Sequence, residues 1–461
     1  MLSDIIAAIS TPIGKGGVAV IRVSGAGSVE LVSRIFFPAS RKSLLEYPAR
    51  FSVFGEIRDE KGVVDTALTT YFKAPASFTG EDVVEISCHG GYIVSGMVLE
   101  TVLSAGARLA EAGEFTRRAY INNKISLSEA EAIGDILSAV SREGVRLSSS
   151  QASGVLSSEM KDITDSLTSM ISSLYAFIDY PDEDLEDMSD GDLISGIDTL
   201  LKKCRKLLST YRTGSAVIHG IPTLIVGKTN VGKSSLFNTL IGERKAIVTD
   251  IAGTTRDMLE YSADVNGLVL RLIDTAGLRE NTTDAIEEMG MDIAREKLHS
   301  PETSLILALF DLSRTFDEDD KRLVDDLLKV QDKEVIPVFT KSDLACVFDK
   351  SLVEKHFGVG FEVSSNLLLG IVELKDYIFK AFVGDSFPSQ NDAYLTNIRQ
   401  KSVVEKGIDA LNRARTELVG GMKDMTGMVL EEALCALLEV DARSAGEQIV
   451  NEIFSKFCVG K

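Results

Sequence analysis

The stretch Gly227-Lys228-Thr229-Asn230-Val231-Gly232-Lys233-Ser234-Ser235 constrains this chain more than any other. It has the form G-x-x-x-x-G-K-[ST]. The apolar run Ile221-Pro222-Thr223-Leu224-Ile225-Val226 precedes it, and the amphipathic Leu236-Phe237-Asn238-Thr239-Leu240 follows. Strand, glycine turn and helix in that order bring backbone N–H groups and a helix N-terminus to one point, which suits phosphate oxygens. Lys233 then reaches the β- and γ-phosphates, and the Ser234 hydroxyl can ligate Mg²⁺.

Three later segments follow in a telling order. Asp274-Thr275-Ala276-Gly277 comes after the strand run Val269-Leu270-Arg271-Leu272-Ile273, which puts a carboxylate at a strand end near the metal. Thr340-Lys341-Ser342-Asp343 comes after Val335-Ile336-Pro337-Val338-Phe339, where Asp343 can accept from the guanine N1–H and exocyclic amine. Ser364-Ser365-Asn366, after Phe361-Glu362-Val363, would cap the base edge. Together these resemble the ordered motifs of translation-factor-related GTPases, which implies GTP rather than ATP. Two departures stand out. Thr340 replaces the usual Asn of Asn-Lys-x-Asp, a change under which guanine selectivity is expected to survive. Leu278 stands where Ras-like proteins place a water-orienting Gln. A leucine has no donor or acceptor, so another polar residue must do that work, or the domain acts only as a slow switch.

At 461 residues the chain is long enough for roughly three domains. Residues 1–120 mix β-branched runs, such as Val18–Val23 and Asp82–Ile86, with glycine-rich turns, and an α+β domain is expected there. From Ser128 the pattern turns helical. Leu156, Met160, Ile163, Leu167, Met170 and Leu174 fall on one helix face, a bundle-core stripe that should stop near Pro181. The acidic run Asp179–Asp184 could bind a cation but reads better as a solvated turn. Alternating strand and helix patterns occupy residues 216–382, and helical periodicity returns with Ile398, Val404, Ile408 and Leu411. The expected plan is multidomain. An α+β domain (1–120) is followed by an all-α domain split into 121–215 and 383–461, with an inserted α/β domain (216–382) between the halves.

Composition narrows the rest. No apolar run approaches the roughly 18 residues of a membrane span, and Met1-Leu2-Ser3-Asp4 opens no export signal. Five scattered cysteines argue against a disulfide framework and for a reducing cytoplasm. Four histidines and no Cys-x-x-Cys pair make a structural zinc site a poor reading. A net charge of −20 argues against a dedicated nucleic-acid binder, unless a local basic patch or a partner supplies the cations. Cys88 and His89 should point to opposite faces of a strand, which disfavours a dyad. Gly14-Lys15-Gly16-Gly17 lacks the Lys-Ser/Thr of a second phosphate loop.

Beyond these readings, the chain resembles the MnmE (TrmE) family of GTPases from end to end. The resemblance rests on Thr11-Pro12-Ile13-Gly14-Lys15-Gly16-Gly17-Val18, Ser77-Phe78-Thr79-Gly80-Glu81-Asp82, His89-Gly90-Gly91 and Gly113-Glu114-Phe115-Thr116-Arg117-Arg118-Ala119. It also rests on Asn122-Asn123-Lys124, Asp250-Ile251-Ala252-Gly253-Thr254-Thr255-Arg256-Asp257, Asp274–Glu280 and the terminal Phe457-Cys458-Val459-Gly460-Lys461. It implies a Ras-like G domain, with Asn230, Thr249, Ile251 and Thr254 around K⁺ and Thr255 joining Ser234 on Mg²⁺. It implies Glu287 as the water-orienting residue, with neighbouring Glu288 in competition. By the same resemblance Arg22, Glu85, Lys124 and Lys461 would bind a tetrahydrofolate derivative (5,10-methylene-tetrahydrofolate). Cys458 would lie near that site, as a reactive thiol or a packed small residue.

The implied activity is K⁺-stimulated GTP hydrolysis coupled to modification of C5 of wobble uridine in certain tRNAs. The implied partners are a second copy of the chain and MnmG, which carries FAD. A ribosome-assembly GTPase of the Era or EngA type is the rival reading. It accounts for the nucleotide motifs but leaves the N-terminal islands unexplained.

Overall fold

Period-two burial organises the N-terminal third. In β2 (Val18–Ser24), Ala19, Ile21 and Val23 are buried while Val18, Val20 and Arg22 face the other way. The computed structural model describes residues 4–179, 189–242, 261–273, 297–300, 303–389, 391–441, 451, 453–455, 457, 459 and 460. Cα packing groups the chain into one unit of residues 1–134, 151–203 and 402–461 and another of 135–150 and 204–401.

The first unit holds a seven-stranded sheet. Its strands are β1 (Ile6–Ile9), β2, β3 (Phe36–Pro38), β4 (Ser52–Asp59), β5 (Gly62–Phe72), β6 (Val83–His89) and β7 (Arg108–Leu109), in the order β3-β4-β5-β6-β2-β1-β7. All neighbours are antiparallel except β1 and β7. One face buries Ile21, Val23, Val53, Ile57, Val84 and Ile86 against α1 (Ser28–Ser33) and α2 (Tyr92–Ser104). Cys88 is buried and His89 exposed, the opposite-face placement the alternation requires. Two helices follow, α3 (Glu114–Ile121) and α4 (Leu127–Ser138).

Further helices among the described residues, in chain order, are α5 (Arg142–Ala152), α6 (Val155–Asp179), α7 (Asp190–Ser209), α8 (Tyr211–His219), α9 (Lys233–Ile241), α10 (Glu318–Leu327), α11 (Ser351–Phe357), α12 (Ile371–Val383), α13 (Ile398–Val419) and α14 (Lys423–Leu438). All six residues of the Leu156–Leu174 stripe are buried, and α6 packs along α14. It ends at Asp179, two residues before Pro181; residues 180–188 of the acidic run lie outside the described residues. On α13, Val404, Ile408 and Leu411 are buried but Ile398 is 65% exposed. At about 100° per residue Ile398 lies roughly 120° round the helix from the other three, so it was never on their face. The last described residues return to the first sheet: Val459 bridges Ala112, and Ser10 Oγ donates to Gly460 O at 2.9 Å.

The second unit is α/β. Five strands run parallel, β8 (Ile221–Gly227), β10 (Leu268–Ile273), β11 (Leu305–Asp311), β12 (Glu334–Thr340) and β13 (Phe361–Val363); β9 (Tyr261–Val265) is antiparallel to β10. The order is β13-β12-β11-β8-β10-β9. Central β11 is buried at every position. Leu305, Leu307 and Leu309 enter one core, and Ile306, Ala308 and Phe310 enter the other. A continuous apolar run is what a strand covered on both faces demands. Among the described residues no helix is long and apolar enough to cross a membrane.

Candidate functional site

The carboxyl ends of β8, β11, β12 and β13 converge on one edge of the second sheet, where open α/β folds bind ligands. Here β8 turns into the loop Lys228–Gly232. Gly227 has φ 154°, and a Cβ on it would sit 2.8 Å from Leu309 O, so the close approach excludes a side chain. Gly232, at φ 104°, is the N-cap of α9 and turns its first N–H groups toward the loop. Asn230 is exposed at φ 59°, and Val231 is buried. Lys233 Nζ donates to Gly227 O at 2.9 Å and to Lys228 O at 2.8 Å, which places its ammonium over the loop. Ser234 and Ser235 are exposed on the first turn of α9. Positive-φ glycines, a helix N-terminus, a lysine and a hydroxyl fit a phosphate chain with Mg²⁺.

The base-side motifs join this loop through hydrogen bonds. Buried Thr340 donates from Oγ1 to Val231 O at 2.6 Å and lies 3.2 Å from Phe310 O. The residue that departs from Asn thus ties the base loop to the phosphate loop with a hydroxyl. Ser342 N donates to Val363 O at 3.2 Å, and Ser364 pairs with Leu369 through both backbone groups. Asp343 and Asn366 are exposed beside them, and Ser365 is half-buried. Lys341 sits at φ 59°, its ammonium 2.6 Å from Asp311 Oδ2.

An ion cluster braces the phosphate loop from outside. Lys228 Nζ lies 2.7 Å from both Asp317 Oδ2 and Asp320 Oδ2. Burial opposes the lysine's charge, but hydrogen bonds to the two carboxylates outweigh it and raise its pKa. Burial pushes Asp320 up, its side chain being 2% exposed; among the described residues its Oδ1 finds no hydrogen-bond partner. Asp317 caps α10 and Asp320 closes the reciprocal capping box, so one helix start serves both turn and clamp.

Thr249, Asp250, Ile251, Ala252, Gly253, Thr254, Thr255, Asp274, Thr275, Ala276 and Gly277 lie outside the described residues, as do Leu278, Glu287 and Glu288. Strand β10 ends at Ile273, directly before Asp274, and runs parallel to β8.

A second polar site lies in the first unit. Arg22 and Glu85 are register partners on β2 and β6, joined at 2.8 and 3.0 Å, and the guanidinium rests 5.4 Å from the Phe78 ring and 5.7 Å from the Phe115 ring. Lys124 Nζ donates to Pro75 O at 2.9 Å on the same loop that carries Phe78. Gly460 reaches the end of β1 at Ile9, one residue past Ala8, the register partner of Arg22, while Cys458 and Lys461 lie outside the described residues.

What positions this loop is not readable from single motifs. Arg118, 1% exposed, pairs with Glu81 at 3.1 Å, Glu114 at 3.1 Å and Asp4 at 2.8 Å. Ser24 donates to Glu81 at 2.8 Å, and Asn122 Nδ2 donates to Thr79 O at 2.7 Å. Burial opposes the charge of Glu114, but Arg108 and Arg118 outweigh it and hold its carboxyl below the usual range. The segments Ser77–Asp82 and Gly113–Ala119 carry this network. Its only sequence signal is a run of charged residues inside segments that otherwise read as buried.

The α/β sheet, the loop before α9 and the linked base motifs define the class first: a P-loop GTPase. Comparison with known proteins then gives the family. The model described as GTP-binding protein TrmE N-terminus matches residues 5–124, and the one described as MnmE helical domain matches residues 127–458. The "tRNA modification GTPase MnmE" of Carboxydothermus hydrogenoformans is 37% identical over 100% of both chains. Its counterpart in Clostridioides difficile is 36% identical over 100% of both, and that of Acetivibrio thermocellus 38% identical over 99% of both. The chain belongs to the MnmE family of tRNA modification GTPases, and it is a GTP hydrolase acting in tRNA modification. A solved structure of Aquifex aeolicus Era bound to GDP·AlF4⁻ is 24% identical over 41% of this chain and 65% of its own, at a TM-score of 0.27, and adds nothing to that match.

Proposed function

We propose that this chain is a K⁺-stimulated GTPase that works with MnmG to install an aminomethyl or carboxymethylaminomethyl group at C5 of wobble uridine, giving nm5U or cmnm5U. A folate one-carbon donor supplies the carbon, and GTP hydrolysis drives a conformational cycle. The observation that supports this most is that the two family matches run from residue 5 to 458 with the phosphate loop inside the second. The same span supports the plan of a G domain (216–382) inserted into a split helical domain.

In this reading Lys233 grips the β- and γ-phosphates, Ser234 and Thr255 ligate Mg²⁺, and Asn230, Thr249, Ile251 and Thr254 ligate K⁺. Bound Mg²⁺ and K⁺ offset charge that develops on the transferring phosphoryl group. Asp343 reads the guanine edge, Ser364, Ser365 and Asn366 cap the base, and Glu287 orients the attacking water. The exposed Asn230 amide on the rim of the loop supports its assignment to the ion. Arg22, Glu85, Lys124 and Lys461 hold the folate, with Glu85 accepting from pterin N–H groups and the cations meeting the glutamate tail. The chain acts as a homodimer joined through its N-terminal domain. A partner supplies cationic surface for tRNA, because a chain of net charge −20 gains little from phosphates.

Steady-state GTP hydrolysis in K⁺ against Na⁺, for the native chain and Asn230→Ala, tests the central claim. Stimulation by K⁺ that disappears in the variant is the expected result. Equal rates in both salts, or stimulation that survives the substitution, would sink the ion-assisted mechanism.

A further inference from the structure

Lys341 occupies a left-handed backbone conformation at φ 59°, which a residue with a Cβ adopts only when its surroundings hold it there. One of those surroundings lies at the tip of β11. Asp311 is 4% exposed. Its Oδ1 accepts from Ser313 N at 2.9 Å and from Ser313 Oγ at 2.6 Å. That leaves Oδ2 turned to the Lys341 ammonium at 2.6 Å, with Arg314 Nε more distant at 3.6 Å. Burial works against the Asp311 charge, but Lys341 and Ser313 outweigh it, so the carboxylate stays ionised.

We propose that Asp311 is a positioning residue for guanine recognition: it anchors the Lys341 ammonium so that the lysine stem and the following Asp343 hold their places at the base. The proposal rests on reading Thr340–Asp343 as the base loop. Three observations converge on that loop. Thr340 is tied to Val231 O, Ser342 N to Val363 O, and Lys341 to Asp311. Of these, only the Lys341 contact is an ion pair, and its carboxylate comes from a strand that contributes no motif of its own. A partly buried, pre-aligned charge-assisted bond is worth enough to matter here, about tenfold in affinity. Neutralising Asp311 frees a four-carbon chain to sample many rotamers, and the cost falls on nucleotide binding, not on the phosphoryl-transfer step.

The test is GTP hydrolysis and binding of a fluorescent GDP analogue by the full chain. Asp311→Asn is expected to raise KM for GTP and Kd for the analogue by about tenfold, with kcat at saturating GTP within about twofold of the native value. Lys341→Met, which keeps the stem and removes the charge, should do the same, and the double variant should be no worse than either. Ser313→Ala, which removes the hydroxyl donor to Oδ1 and keeps the backbone one, should raise KM more modestly, and only while Lys341 is present. It carries the test if Asp311→Asn does not fold. Additive losses when Lys341→Met is combined with Asp311→Asn or with Ser313→Ala, or a fall in kcat with KM unchanged, would overturn the proposal. Asp343→Asn separates the underlying reading. An asparagine amide can donate to a 2-oxo purine, so that variant should prefer XTP to GTP. If it does while Asp311→Asn leaves KM unchanged, the anchoring role alone fails; if it does not, the base-loop reading fails with it.

Discussion

Thr340 shows how much one hydroxyl can carry. It is 4% exposed and stands where the related motifs have an amide, yet its Oγ1 still spans from base loop to phosphate loop. Thr340→Val keeps the shape and deletes the donor, leaving the Val231 carbonyl unpaired. Stability is expected to fall by about 1–2 kcal/mol and GTP affinity several-fold, since a buried acceptor left unmade costs its desolvation. Urea unfolding and nucleotide titration check this; unchanged values in both would show that the bond is idle. Arg118 is a stronger case. Replacing it by Met leaves Glu81 and Glu114 without their buried cation, an expected loss of about 3–5 kcal/mol in urea unfolding. A loss below about 1 kcal/mol would mean water compensates fully. The native network also sets an acid limit. Asp4 and Glu114 are held below the ordinary carboxylate range, burial opposing their charge and the arginines outweighing it. The stability they add is therefore fully present above about pH 4.5, the unfolded range, and is lost as pH falls through their folded values. The urea midpoint should decline below that pH in the native chain and somewhat less steeply in Arg118→Met, where Arg108 still faces both carboxylates.

At the scale of elements, close approach decides more than propensity. Gly427 lies within α14, and a Cβ there would meet the Tyr175 ring of α6 at 2.9 Å. Helix propensity alone favours alanine by about 1 kcal/mol. Overpacking the helix pair costs about 1–3 kcal/mol, which outweighs that gain unless the ring shifts. Gly427→Ala is expected to lower the melting temperature by a few degrees; a rise would show that the ring moves aside freely. The same contrast marks what sequence alone could give. The phosphate loop was legible because its strand, turn and helix are contiguous, and the Leu156–Leu174 stripe because period alone encodes a face. The Lys228–Asp320, Thr340–Val231 and Lys341–Asp311 ties were not, since their partners stand 92, 109 and 30 residues apart. Ile398 belongs to the same helix as Val404, Ile408 and Leu411, but at its angle round the axis it stays exposed while they are buried. Arg22 and Glu85 were named by resemblance; their pairing follows from a strand register that the sequence does not state.

For the whole molecule, the division of labour between strands has a cost outside the folded state. Leu305-Ile306-Leu307-Ala308-Leu309-Phe310 carries no charge, no proline and no glycine, and all six side chains are hidden once β8 and β12 flank it. During synthesis β8 is already made when this segment emerges, but β12 begins only at Glu334, some two dozen residues later. For that interval one edge of a six-residue apolar strand is open to any other strand, including the same segment of a neighbouring nascent chain. The acidic stretch that follows, Asp311 to Asp326, is the first charge to leave the ribosome behind it. The carboxylate at the strand's tip and the acidic start of α10 thus act as gatekeepers for a segment that would otherwise zip into aggregates.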